Sequence, residues 1–177
     1  MFLLRWGVLP LILTIVTCEN LPQVQTPLGK IEGVSDRTVK GRNFFSFEGV
    51  PYAKPPVGNL RFKEAVPAEP WSDVWKANNK YKCLQYDHFS PEGDRIRGTE
   101  DCLYVNVYTP ALDGKYDVII HIHGGAFIFG SGSMFLPHIL LDKNVVYVSI
   151  NYRLGPLGFL STEDDNVPGN NGLGIKY

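Results

Sequence analysis

Val118-Ile119-Ile120-His121-Ile122-His123-Gly124-Gly125-Ala126-Phe127 is the stretch on which the reading of this chain turns. Its first half is an apolar run interrupted only by His121, the pattern of a strand covered on both faces. Glycines then open a sharp turn where the strand ends. Residues without a Cβ let successive N–H groups converge on one point, which is how a backbone stabilises a carbonyl oxygen that gains charge during acyl transfer. Taken alone, His123 to Phe127 fits a plain strand-to-loop turn equally well.

Other glycine chemistries fail on the residues themselves. Gly125 to Gly130 has the GxxxxG spacing of a phosphate loop, but Ser131 stands where that loop needs its lysine. A dinucleotide fingerprint needs a third glycine after Gly130-Ser131-Gly132, and Phe135 occupies that position. His121 and His123 lie two apart on a strand and share a face, yet no Glu, Asp or third His stands at ligand spacing, so no metal and no cofactor are expected.

Composition is that of an ordinary globular chain. With 44% hydrophobic and 20% charged residues and a net charge of −1, nothing points to a nucleic-acid partner. Residues 1–18 read as a secretory signal: Arg5 supplies the positive end, Val8 to Val16 the apolar region, and Val16-Thr17-Cys18 a cleavage site before Glu19. The run is too short for a span of roughly 20 apolar residues, so no membrane span is expected after signal removal. The expected location is therefore secreted, extracellular. Of three cysteines, Cys18 lies at the signal's edge, leaving Cys83 and Cys102 as an even pair in an oxidising compartment. A disulfide closing that loop of about 20 residues would be worth about 3 kcal/mol in the entropic account; two buried thiols are the alternative.

Along the chain, Leu28 to Gly33 and Thr38 to Phe47, split by Ser35-Asp36, read as an antiparallel hairpin. Pro51 to Pro70 is too rich in proline for a helix or central strand and should wrap the surface. Leu103 to Tyr108, Asp117 to His123 and Val145 to Ile150 read as strands, with Pro137 to Lys143 a short helical candidate in the crossover between the last two. Glu163-Asp164-Asp165 reads as a solvated loop, and His88 and His138 as ordinary surface or core residues.

Five motifs, in order, carry a resemblance. Phe47-Glu48-Gly49-Val50-Pro51-Tyr52-Ala53-Lys54-Pro55-Pro56-Val57-Gly58, Leu60-Arg61-Phe62, Glu100 to Tyr108, His123 to Phe127, and Asn151-Tyr152-Arg153-Leu154-Gly155-Pro156-Leu157-Gly158-Phe159-Leu160 are similar to the type-B carboxylesterase and cholinesterase family, with an insect-type carboxylesterase likeness. The resemblance covers nearly all of residues 19–177, read as a partial domain, but only about the first third of a family member. It implies an α/β fold, the N-terminal portion of an α/β-hydrolase: an antiparallel hairpin, then the start of a central, mostly parallel sheet. It also implies ester hydrolysis by a Ser-Glu-His triad.

Carried over, the resemblance puts the oxyanion donors on the backbone N–H groups of Gly125 and Ala126, with Gly124 giving the turn its freedom. Members often have a third glycine where this chain has Ala126. The resemblance also pairs Cys83 with Cys102 and makes Arg61 and Glu100 a structural ion pair fastening that loop. Cholinesterases present a tryptophan from the loop to a quaternary ammonium. No Trp lies between Cys83 and Cys102, which points to a small apolar carboxylic ester as substrate of the full-length form.

Gly169-Asn170-Asn171-Gly172-Leu173 continues the match, and Ile175-Lys176-Tyr177 departs from it where members carry an aspartate that pairs with the arginine matching Arg153. No Gly-x-Ser-x-Gly occurs, and the resemblance implies that nucleophile, acid and base all lie downstream of Tyr177, absent from these residues. The expectation is a partial domain, the N-terminal portion of a secreted carboxylesterase left by a truncated transcript, a retained intron or an incomplete gene model, and inactive by itself. A catalytically dead esterase-like ectodomain for adhesion, or a short ligand-binding product, are the alternatives.

Overall fold

The computed structural model describes residues 21–89, 91, 93 and 95–167. The expected signal at 1–18 and the segment Gly169–Tyr177 lie outside them. In chain order the strands are β1 (Gln23–Thr26), β2 (Gly29–Glu32), β3 (Val34–Arg37), β4 (Asn43–Pro51), β5 (Trp75–Lys76), β6 (Gln85–Tyr86), β7 (Ile96–Arg97), β8 (Tyr104–Thr109), β9 (Asp117–Ile122) and β10 (Val145–Ile150), followed by a single helical turn, α1 (Gly155–Phe159). The central sheet has the order β3-β4-β8-β10-β9. Its pairings are antiparallel until β10 and β9, which run parallel in continuous register from Val145↔Asp117 to Ile150↔Ile122.

Two expectations need correction. The expected hairpin is two hairpins: β1 pairs with β2, and β3 with β4. Ser35 and Asp36 lie inside β3 and form no turn. The chain passes from one sheet to the other at Gly33, where a Cβ would run into the Ser46 carbonyl oxygen. The helix expected over Pro137 to Lys143 is only a 3-10 turn, Leu140–Asp142. Leu141 is buried while Ile139 and Leu140 stay exposed, so the segment has no continuous apolar stripe to hold a longer helix against the sheet.

Alternation sets the sheet's inner face. Tyr104, Asn106 and Tyr108 of β8 are buried, and Tyr147 and Ser149 lie opposite on β10. Tyr108 packs on Tyr147 at 5.9 Å between ring centroids, and Asn106 Nδ2 donates to Ser149 Oγ at 3.2 Å. The register of β4 on β8 slips between Phe47 and Val50. Gly49, at φ 76°, sits in that bulge and donates its N–H to Asn106 Oδ1 at 2.9 Å, so the unpaired backbone group is satisfied by a side chain. A second cluster surrounds Cys83 and Cys102, with Ala53, Leu103, Tyr152 and Leu154.

The cover expected over β9 is missing among the described residues. Val118, Ile120 and Ile122 on one face are each at least half exposed, Ile119 on the other is 40% exposed, and β9 forms one edge of the sheet.

Candidate active site: the glycine turn after the edge strand

β9 delivers the chain to His123, which is buried, and the turn over Ala126 to Ile128 follows. The N–H groups of Ile128 and Phe129 both donate to Gly125 O, at 3.0 and 3.1 Å. To reach that geometry Gly125 takes φ 123°, Ala126 φ 51° and Phe127 φ 60°. A Cβ at Gly125 would overlap the Phe129 carbonyl oxygen, so this position requires glycine. Gly124 differs from expectation. Its φ is not in the left-handed region and a Cβ there would meet nothing within 4 Å, so the freedom of the turn resides at Gly125. Ala126 occupies the left-handed well, which costs a residue with a Cβ about 1–2 kcal/mol.

With the turn closed on the Gly125 carbonyl, the N–H groups of Gly125 and Ala126 donate no hydrogen bond among the described residues. Ala126 is exposed and Gly125 half-buried, so neither is hidden from a ligand. Beside them lies an open apolar depression lined by Ala126, Phe127, Ile128, Pro156, Phe159 and Leu160.

The turn is held from three sides. From α1, the Gly155 N–H donates to Phe127 O at 2.7 Å, and the Phe127 ring packs on Phe159 at 5.0 Å. From the end of β10, Asn151 Oδ1 accepts the Gly132 N–H at 2.7 Å, and Tyr152 stacks on His123. From the loop between Cys83 and Cys102, the Gln85 amide donates from Nε2 to Gly130 O and accepts at Oε1 from the Gly130 N–H, both at 2.8 Å. Gly130 in turn seats against His123: a Cβ there would overlap the imidazole and crowd Gly124 O.

His123 Nδ1 meets Gly124 O at 2.9 Å. A carbonyl oxygen only accepts, so Nδ1 carries the proton. Burial pushes the imidazole below its ordinary value, which keeps it neutral. His121 ends up elsewhere, stacked on Tyr147 and edge-on to Phe135.

Cys83 and Cys102 form a disulfide with Cα atoms 4.9 Å apart. Arg61 lies on Glu100 through two bonds, Nε to Oε2 at 2.5 Å and Nη2 to Oε1 at 2.7 Å. That bidentate contact raises the guanidinium and lowers the carboxyl from their ordinary values. Arg153 is buried and donates from Nη2 to Lys63 O at 2.7 Å.

A family model described as carboxylesterase family matches residues 20–174. The chain belongs to the carboxylesterase family. Among relatives, Esterase FE4 of Myzus persicae is 51% identical over 168 residues, covering 89% of this chain and 29% of the relative. Juvenile hormone esterase of Tribolium castaneum is 44% identical over 157 residues, 86% of this chain and 26% of the relative. In structure, the chain is similar to juvenile hormone esterase from Manduca sexta, solved with OTFP covalently attached, at TM-score 0.77 and 41% identity over 86% of this chain and 30% of that one. The fold is a portion of the α/β-hydrolase fold, and the chain spans less than a third of the length of the relatives it matches.

Gln85, Gly130, Asn151 and Tyr152 were not legible as site residues in the sequence. Each acts through a backbone group far away along the chain, and no periodicity marks such a pairing. Gly130 carries its spacing from Gly125, and Asn151 and Tyr152 open the last of the five motifs, but neither signal gives a role.

Proposed function

We propose that this chain carries the oxyanion-stabilising part of a secreted serine carboxylesterase, with the N–H groups of Gly125 and Ala126 as donors. The observation that carries the reading is the pair of successive N–H groups, accessible and without an acceptor among the described residues, beside an apolar depression. A carbonyl oxygen set there would gain two donors as it becomes tetrahedral, in a geometry already fixed before substrate arrives. The nucleophile, acid and base come from outside residues 1–177, in the order Ser-Glu-His, and these residues alone do not turn over esters.

The substrate is a small neutral ester with an apolar acyl group. Phe127, Phe159 and Leu160 offer no charge to it, and within the disulfide loop the Arg95 guanidinium sits 5.9 Å over the Tyr86 ring, occupying the aromatic face with a cation. Residues 1–18 act as the export signal, which suits the disulfide.

The test uses a completed domain, in which residues 21–167 of this chain replace the matching segment of Esterase FE4. That protein is expected to hydrolyse a p-nitrophenyl ester and to be titrated by a stoichiometric organophosphate. Gly125→Asp in it should lower turnover about 100-fold or more, since removing or misdirecting one donor costs roughly 2.7–4 kcal/mol. Unchanged turnover in that variant would remove the assignment.

A further inference from the structure

The geometry points to Gln85 as a positioning residue for the oxyanion turn, an inference that rests on the reading of Gly125 and Ala126 as donors. Gln85 follows the disulfide by two residues. Its Nε2 donates to Cys83 O at 2.8 Å, so the amide is tied to the cross-linked base of its own loop. The same amide then grips Gly130 on both backbone groups, Nε2 to the carbonyl and Oε1 to the N–H. A primary amide is the only uncharged side-chain head with a donor and an acceptor side by side, so it can match a peptide unit in this two-point way.

What Gly130 touches explains why the grip matters. Its α-carbon faces the His123 ring and the Gly124 carbonyl so closely that a Cβ would overlap the imidazole. Gly130 therefore forms the far wall against which the start of the turn is set. With Gly130 held, His123 and Gly124 cannot retreat, and the N–H groups of the two residues that follow keep their aim. Without the amide, the return strand of the loop is fixed next by Asn151 at Gly132, two residues further on. A donor displaced by about 1 Å can lose about 100-fold in rate, and the effect falls on the transition state because the ground-state carbonyl needs the donors less.

Two variants of the completed domain separate this role from packing. Gln85→Met keeps length and volume and removes all three hydrogen bonds. Gln85→Glu keeps the acceptor for the Gly130 N–H and sets a negative charge against the Gly130 and Cys83 carbonyls. Turnover is measured per organophosphate-titrated site, so unfolded protein does not enter. Both variants are expected to lose about tenfold or more in kcat with KM held within about threefold. Unchanged kcat per site, a change confined to KM, or a loss of titratable sites while the remaining ones keep wild-type kcat would each overturn the role. If Gly125→Asp abolishes turnover and the Gln85 variants do not, the positioning role alone fails. If the completed domain shows no organophosphate-sensitive turnover, or Gly125→Asp leaves it intact, the donor assignment fails and the role of Gln85 falls with it.

Discussion

Tyr152 holds His123 twice: its ring stacks on the imidazole with centroids 4.4 Å apart and planes 14° from parallel, and its hydroxyl donates to the His123 carbonyl at 2.7 Å. The residue just past the edge strand β9 is thus fixed by a residue just past β10, the strand next to it in the sheet, through both ring and backbone. Burial at this position favours the neutral imidazole.

A pH dependence follows from that neutrality. The folded pKa of His123 is lowered, so between the folded and ordinary values the unfolded chain binds a proton that the folded chain refuses. The stability His123 contributes is present above the ordinary imidazole value of 6.5 and is lost as pH falls through the interval below it. Melting of the completed domain should drop between about pH 7.5 and about pH 5.5 more steeply than that of its His123→Phe variant. Parallel profiles for the two proteins would show that His123 titrates normally.

Ala126 stores strain that glycine would release. With φ at 51°, Ala126→Gly should retain turnover and melt no lower than the parent, the relief of about 1–2 kcal/mol offsetting the extra entropy of an unfolded glycine. Ala126→Val should lower both, because a β-branched residue is an outlier in that well. Thermal melts and p-nitrophenyl ester turnover of the two variants decide it, and equal behaviour of Gly and Val would contradict the observed backbone.

The disulfide closes a sequence separation of 19 residues. Replacing Cys83 and Cys102 together by serine should cost about 3 kcal/mol in the chain-entropy account. Secreted protein should show no alkylation of either cysteine until reductant is added, and an intact mass beginning at Glu19. Alkylation of Cys83 without reductant would refute the pairing in the secreted form.

The uncovered faces of β9 predict how the isolated piece behaves. Residues 19–177 expressed alone should bind a hydrophobic dye, scatter light with increasing concentration and show no cooperative melt, because Val118, Ile120 and Ile122 meet water on an unpaired edge. Val118→Thr with Ile120→Lys should reduce the scattering. A monomeric, cooperatively melting fragment would show that the observed exposure is not a liability.

The turn after β9 could be read from sequence because its signals are local: an apolar strand interrupted only by His121, then two successive glycines. The sheet assignment of β2 could not. Ile31 and Val34 lie three apart, so the apolar phase shifts at Gly33, but a phase shift does not say which strand each side pairs with, and the separate pairings of β2 and β3 show that the chain changes sheets there. Pro137 to Lys143 failed for the opposite reason. Its residues suit a helix, but the sheet offers burial to Leu141 and leaves Ile139 and Leu140 in water. The clamp of Gln85 on Gly130, 45 positions apart, left no trace in local pattern at all.

Asn151 bears on the order in which the molecule can assemble. Its side chain joins Gly132 to the Tyr81 carbonyl at 3.0 Å, its N–H reaches Tyr104 O at 3.0 Å, and its carbonyl accepts from the Tyr52 hydroxyl across 99 positions. Contacts so distant along the chain are late and slow to form, since loop closure must precede the bonds that reward it. The shape of the glycine turn is therefore tied to contacts made across most of the chain, and a polypeptide in which they have not closed has the sequence of the site without its geometry.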